Sequence, residues 1–179
     1  DDLARAEAAP LQARPTEVDL AAAIAEIGHA LDGVGRDRSA HLVMDVPLGV
    51  FAWADPGHLA RALRNVVANA FAHSPVGGTV TVAVTAPAAG KVVQVRVTDQ
   101  GSGIAAEDLP HVFERFYRAD TARATDPETG RPTGLGLGLT IARELLAANG
   151  GQISVERTGP EGTTFLLDVP MTQRKSIPR

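Results

Sequence analysis

Val92-Val93-Gln94-Val95-Arg96-Val97-Thr98-Asp99-Gln100-Gly101-Ser102-Gly103 alternates apolar and polar residues up to a carboxylate and then loosens into glycine. Val93, Val95 and Val97 against Gln94, Arg96 and Thr98 have the period of a strand with one buried face. Asp99 falls on the valine side. A carboxylate closing a buried row must find a partner or change its proton affinity. The glycines after it let backbone approach something closely. Two readings stand: an acceptor facing a ligand, or an Asp that only caps its own turn through backbone amides.

The same alternation recurs outward from this strand. Val80, Val82 and Val84 alternate with Thr79, Thr81 and Thr85, and Phe165, Leu167 and Val169 with Thr164, Leu166 and Asp168. Strands are expected over 39–46, 50–53, 79–86, 91–98, 152–156 and 163–169. Helices are expected over 18–31, from Asp55-Pro56 to about His73, and from about Gly136 to Ala148, with a short helical piece over 106–117. One apolar face per strand means a sheet covered on one side, and three helices are available to cover it. The pattern predicts a two-layer α/β sandwich.

The 179 residues suffice for one domain with a real core. A net charge of −4 gives a nucleic-acid partner no electrostatic support. The absence of cysteine excludes disulfides and thiolate metal sites. No apolar run approaches the roughly 18 residues of a membrane span, so no membrane contact is expected of this segment. Asp1-Asp2-Leu3-Ala4-Arg5 reads as the middle of a helix, so the chain is expected to be a piece of a longer protein. Residues 1–16 read as a helix end and a linker marked by Pro10 and Pro15, and 171–179 as a disordered tail.

Three further stretches could carry chemistry. On the Asp55 helix, Asn65, Asn69 and His73 follow at four-residue steps along the flank of an apolar stripe formed by Leu59, Leu63, Val66, Val67, Ala70 and Phe71. Asparagine is a mediocre helix former. The seam either offers amide oxygens to a hard cation such as Mg²⁺ or is a solvated flank. Gly134-Leu135-Gly136-Leu137-Gly138-Leu139 leads directly into a helix, which suits backbone amides for a phosphate and also suits tight helix packing. It is not a P-loop, because no Lys-Ser/Thr follows. In Phe113-Glu114-Arg115-Phe116-Tyr117-Arg118, the two phenylalanines are a small anchor, and Arg115 and Arg118 are free to reach phosphates or a partner.

The order of these elements resembles the ATP-binding catalytic domain of bacterial sensor histidine kinases, within the wider gyrase, Hsp90, histidine kinase and MutL ATPase group. The asparagine helix, Asp-x-Gly-x-Gly, Phe-x-x-Phe, a polar stretch over 118–134, Gly-x-Gly-x-Gly and the closing Gly162-Thr163-Thr164-Phe165 together cover about residues 17–170. The resemblance implies a Bergerat-type sandwich with a mixed sheet covered on one face by three helices. It implies ATP and Mg²⁺ as ligands, Asn69 on the metal and Asn65 supporting phosphate and metal. It implies Asp99 accepting the adenine amino group, with Gly101, Gly103 and Ile104 around the base and Thr163 joining Asp99 there through water. His73 stands near the nucleotide, 118–134 is the ATP lid, and Gly134, Leu135, Gly136, Leu137 and Gly138 form its phosphate-side end.

One departure stands out. The family has Lys or Arg three residues after the second asparagine; here that place is Ala72, so Arg115 or Arg118 would have to replace it. His29, His41, His58, His73 and His111 lack the acidic neighbour of a phosphoacceptor. The implied partners are therefore a separate helical dimerisation domain and, through the full-length kinase, a response regulator. This segment is expected to be a monomeric cytoplasmic domain of a homodimeric protein anchored in the bacterial inner membrane. The alternatives are a weakly active or inactive partner-binding module, an anti-sigma-factor-like serine kinase, and a hydrolytic ATPase. The last is disfavoured because Asn65 holds the place of the water-activating Glu and cannot act as a base.

Overall fold

The valine row of 93, 95 and 97 forms the middle of a five-stranded sheet. The computed structural model describes residues 11–37, 39–87, 90–117 and 137–171. Among the described residues its order is β1 (Thr16–Asp19), α1 (Leu20–Asp37), β2 (His41–Asp45), β3 (Phe51–Ala54), α2 (Pro56–His73), β4 (Thr79–Thr85), β5 (Val92–Thr98), α3 (Gly138–Ala148), β6 (Gln152–Gly159) and β7 (Gly162–Pro170), with a 3-10 turn at Leu109–His111. The main sheet runs β2-β4-β5-β7-β6, and β1-β3 is a separate two-stranded sheet. β2 pairs parallel to β4 and the other neighbours are antiparallel, so the main sheet is mixed.

Its two faces differ in chemistry. Val82 opposes Val97, which opposes Phe165, and this face joins Leu63, Val66, Val67 and Phe71 of α2 and Ala142, Leu145 and Leu146 of α3 in one buried core. Burying one such Leu or Val side chain stabilises by about 2 kcal/mol. The other face is polar: Arg96 pairs with Glu156 at 2.9 Å, and Gln152 donates to Asp168 at 2.8 Å. The two-layer expectation therefore holds, with α1, α2 and α3 in the helical layer.

α2, which carries the asparagine seam, has a well-defined start. Oδ1 of Asp55 accepts from the Gly57 and His58 amides at 3.0 and 3.1 Å, and Oδ2 from the Arg14 amide at 2.9 Å. The Arg14 amide first, and then the His58 amide, hold the Asp55 carboxyl below its ordinary value of 3.8. Replacing Asp55 with Ala is expected to cost about 1 kcal/mol, read as a lower Tm. A depressed folded pKa gives stability that is present above pH 3.8 and lost as pH falls through the folded value. The Tm difference between wild type and Asp55→Ala should therefore shrink in that acid window.

Several element bounds differ from the sequence expectation. The first helix starts at Leu20, not Val18, because residues 16–19 pair with β3 as a strand and Asp19 caps the helix through the Ala21 amide at 3.0 Å. Thr16, expected to close the linker, thus begins β1. The helix also runs on to Asp37, past Leu31. The helical piece expected over 106–117 is only the 3-10 turn within a series of turns. Glu114 N–H donates to the His111 carbonyl and Tyr117 N–H to that of Glu114; Phe116, with φ of 62°, halts any helix. Met171, expected to begin a disordered tail, bridges to Ala52 and donates its amide to the Lys91 carbonyl.

Candidate functional site

β5 and β7 deliver Asp99 and Thr163 side by side. Val97 opposes Phe165 in register, so two residues further along each chain's alternation Asp99 and Thr163 share the core-side face. Each is 3% exposed. The Asp99 amide donates to the Thr163 carbonyl at 2.9 Å. Oδ1 of Asp99 accepts from the Gly101 amide at 2.8 Å and the Thr163 amide at 3.1 Å. Oδ2 has no hydrogen bond among the described residues and is not sealed from solvent. One oxygen therefore caps the turn, as the second reading expects, and the other is left without a hydrogen bond among the described residues.

The glycines around Asp99 make backbone contacts within the protein. A methyl on Gly101 would lie 2.6 Å from the His73 carbonyl oxygen, which seats the loop on the end of α2. Gly103 has φ of +81°, and a methyl there would lie 2.3 Å from the Gly159 carbonyl oxygen. Their absent side chains bring α2, the 99–104 loop and the β6–β7 turn together, which is a requirement of the fold in addition to any room for a base. Ile104 packs on the core and donates its amide to Thr158 Oγ1 at 2.8 Å.

α2 runs from this acidic end to the start of α3. Asn65 and Asn69 are half-buried and His73 is exposed. A methyl on Gly138, the first residue of α3, would lie 3.8 Å from Asn65 Cβ. Nδ2 of Asn65 is buried and has no partner among the described residues, which is costly unless something else accepts its protons. Leu137 precedes α3 without a side-chain cap, so among the described residues no side chain takes up the first amides of that helix, and its positive dipole end faces the same region. Among the described residues no group of three His, Asp or Glu side chains gathers to hold a metal. A cation here would depend on amide oxygens and on oxygens of its own ligand.

The expectation about Arg115 changes. Arg115 is not free: its guanidinium donates to Glu144 of α3 at 2.7 Å. That pair and Thr140 Oγ1, which donates to the Phe113 carbonyl at 2.9 Å, fasten the 105–117 segment to α3, and Phe113, packed edge-on to Phe165, fastens it to β7. Phe116 is 71% exposed. Ala72 is exposed and supplies no charge. Arg118, Gly134, Leu135, Gly136 and the rest of the expected lid lie outside the described residues. Sequence reasoning passed over Thr158, whose hydroxyl is 3.0 Å from that of Thr163; only a hydroxyl close to the Gly-Thr-Thr-Phe turn could have pointed to it.

A family model described as histidine kinase-, DNA gyrase B-, and HSP90-like ATPase matches residues 54–173. The sensor-like histidine kinase SenX3 of Mycolicibacterium smegmatis is 39% identical over 129 residues, 72% of this chain and 32% of that protein. The sensor histidine kinase WalK of Bacillus subtilis is 36% identical over 141 residues, 78% of this chain and 22% of that protein. The chain thus spans about a third or less of the length of these relatives. Full-length ShkA, solved in complex with AMPPNP, aligns with a TM-score of 0.78 at 26% identity over 97% of this chain and 34% of that one.

Proposed function

This chain belongs to the histidine kinase-, DNA gyrase B- and HSP90-like ATPases, and we propose that it binds Mg-ATP and donates the γ-phosphate to a histidine on a separate helical dimerisation domain, as the catalytic part of a two-component sensor kinase. The observation that carries this reading is Asp99: one oxygen is fixed by two amides and the other is an open acceptor at the end of a buried row. Such an acceptor suits the exocyclic amino group of adenine. The AMPPNP bound to ShkA supports the same ligand class.

The other end of the site fits phosphate and Mg²⁺. The orphaned Nδ2 of Asn65 is a donor in need of an anionic oxygen, and the open start of α3 offers amides to the same charge. Asn69, one turn further along α2, would hold Mg²⁺ through its amide oxygen, a hard donor suited to that ion. Bound Mg²⁺ neutralises phosphate charge. The chain's own residues position: Asp99 fixes the base, Asn65 and the α3 amides orient the phosphates, and the terminal phosphate is left for an acceptor from another domain. Phosphoryl transfer needs chiefly such positioning and charge neutralisation. A response regulator would be the next partner of the whole protein.

A second reading, a partner-binding module with weak kinase activity, is favoured by the uncharged Ala72 and by Arg115 being held by Glu144. One experiment separates them. The chain is mixed with its dimerisation domain and γ-labelled ATP, with Asn69→Ala as control. We expect acid-labile, base-stable label on the helical domain, at least about tenfold reduced by Asn69→Ala for loss of one charge-assisted contact. Phosphate release without protein label would indicate an ATPase. Nucleotide binding without either product would indicate the module.

A further inference from the structure

We infer that Thr158 is a positioning residue that sets the direction of the Thr163 hydroxyl and makes it a hydrogen-bond donor toward the bound base. The inference rests on the adenine site proposed above and goes beyond it, because it concerns how that site discriminates between bases.

The backbone supplies the first argument. In β6, Ile153 opposes Leu167 and Val155 opposes Phe165, both on the core-side face. The register then shifts between Val155 and Arg157, and Arg157 opposes Thr164 while Thr158 opposes Thr163. Without that extra residue, strict alternation would put residue 157 on the core-side face and turn 158 outward. The bulge reverses the alternation and re-aims Thr158 onto the face that carries Asp99 and Thr163. On the outer face Glu156, at the bulge, is held by Arg96 through both carboxylate oxygens, which fixes the irregularity in place.

Proton counting supplies the second argument. An amide can only donate, so Thr158 Oγ1 accepts from Ile104 N–H at 2.8 Å. Thr158 has one hydroxyl proton of its own, and among the described residues the Thr163 hydroxyl is its one acceptor, at 3.0 Å. The chain that uses both donors in sequence runs from the Ile104 amide to Thr158 to Thr163. Each hydroxyl that accepts becomes a better donor to the next. The Thr163 proton then has no acceptor among the described residues and is available to the site. Asp99 Oδ2 offers an acceptor and Thr163 a donor. That pair matches the adenine edge, which presents an amino donor beside a ring-nitrogen acceptor. Guanine and hypoxanthine present a carbonyl acceptor beside a ring N–H donor, opposite at both places.

The test compares Thr158→Val, which keeps the shape and removes the hydroxyl, with Thr158→Ser, which restores it. Binding of Mg-ADP and Mg-IDP to wild type and both variants is measured by calorimetry, with Tm recorded for each. We expect Thr158→Val to weaken ADP about tenfold and to narrow the ADP-to-IDP preference. Thr158→Ser should return both to within about twofold of wild type. An unchanged ADP-to-IDP ratio in Thr158→Val, or a Thr158→Ser variant as impaired as Thr158→Val, overturns the role of Thr158 and leaves the adenine site standing. Wild type that binds neither nucleotide, or both equally, overturns the adenine site and this inference with it.

Discussion

Asp99→Asn is expected to weaken adenine-nucleotide binding by about 100-fold while leaving Tm close to wild type. A hydrogen bond to a charged acceptor is worth roughly 1.5–3 kcal/mol, and about 2.7 kcal/mol corresponds to that factor. The substitution separates the two jobs of this carboxylate. The asparagine carbonyl can take the place of Oδ1 and go on accepting from the Gly101 and Thr163 amides, so the turn survives. Its amide nitrogen replaces the open Oδ2 and turns a donor toward the adenine amino group, which is itself a donor. Calorimetric titration with Mg-ADP beside a thermal melt gives both quantities. Unchanged affinity would mean that Asp99 only caps its turn.

Gly162→Ala should have the largest effect on stability, about 3 kcal/mol, seen as a Tm lower by about 9 °C. Gly162 begins β7 with φ of +125°, and a methyl there would lie 2.0 Å from the Asp99 carbonyl oxygen and 3.0 Å from Gln100 Cα. All the nearest atoms are backbone, so no side chain can swing away. Relief would require separating β5 from β7 where the Asp99 amide meets the Thr163 carbonyl. Gly159→Ala, in the same hairpin, is the control. A methyl there meets nothing within 4 Å, so its Tm should stay within about 2 °C of wild type for a surface-type change. Equal losses in the two variants would mean that the turn tolerates no substitution at all, and that close approach to Asp99 is not the cause.

Much of this molecule is legible along the chain because its signals are local. Alternating valines report a half-buried strand wherever they occur, and the core cluster contains Val80, Val82, Val84, Val93, Val95 and Val97 as that period requires. Asp55-Pro56 announces a helix start by its own side-chain chemistry. The order of the asparagine helix, the glycine motif and the Gly-Thr-Thr-Phe turn carries the family signature that extends over residues 54–173. Short or irregular pieces were less legible. The four residues of β1 have no period of their own and become a strand only because β3 lies beside them.

The sequence by itself therefore determined the two-layer sandwich, the helix bearing Asn65 and Asn69, and the carboxylate at the end of the valine row, since each follows from residue spacing over a few turns or strand steps. Only the tertiary structure decided how those groups can act. Which Asp99 oxygen is held and which is open depends on an amide from Thr163, 64 residues away. Arg115 is withdrawn from the pool of free cations by Glu144, 29 residues away. Thr158 faces the site because one extra residue in β6 shifts its register against β7. Periodicity fixes which side of a strand or helix is buried; the partner of a polar atom is fixed by whatever the chain brings next to it.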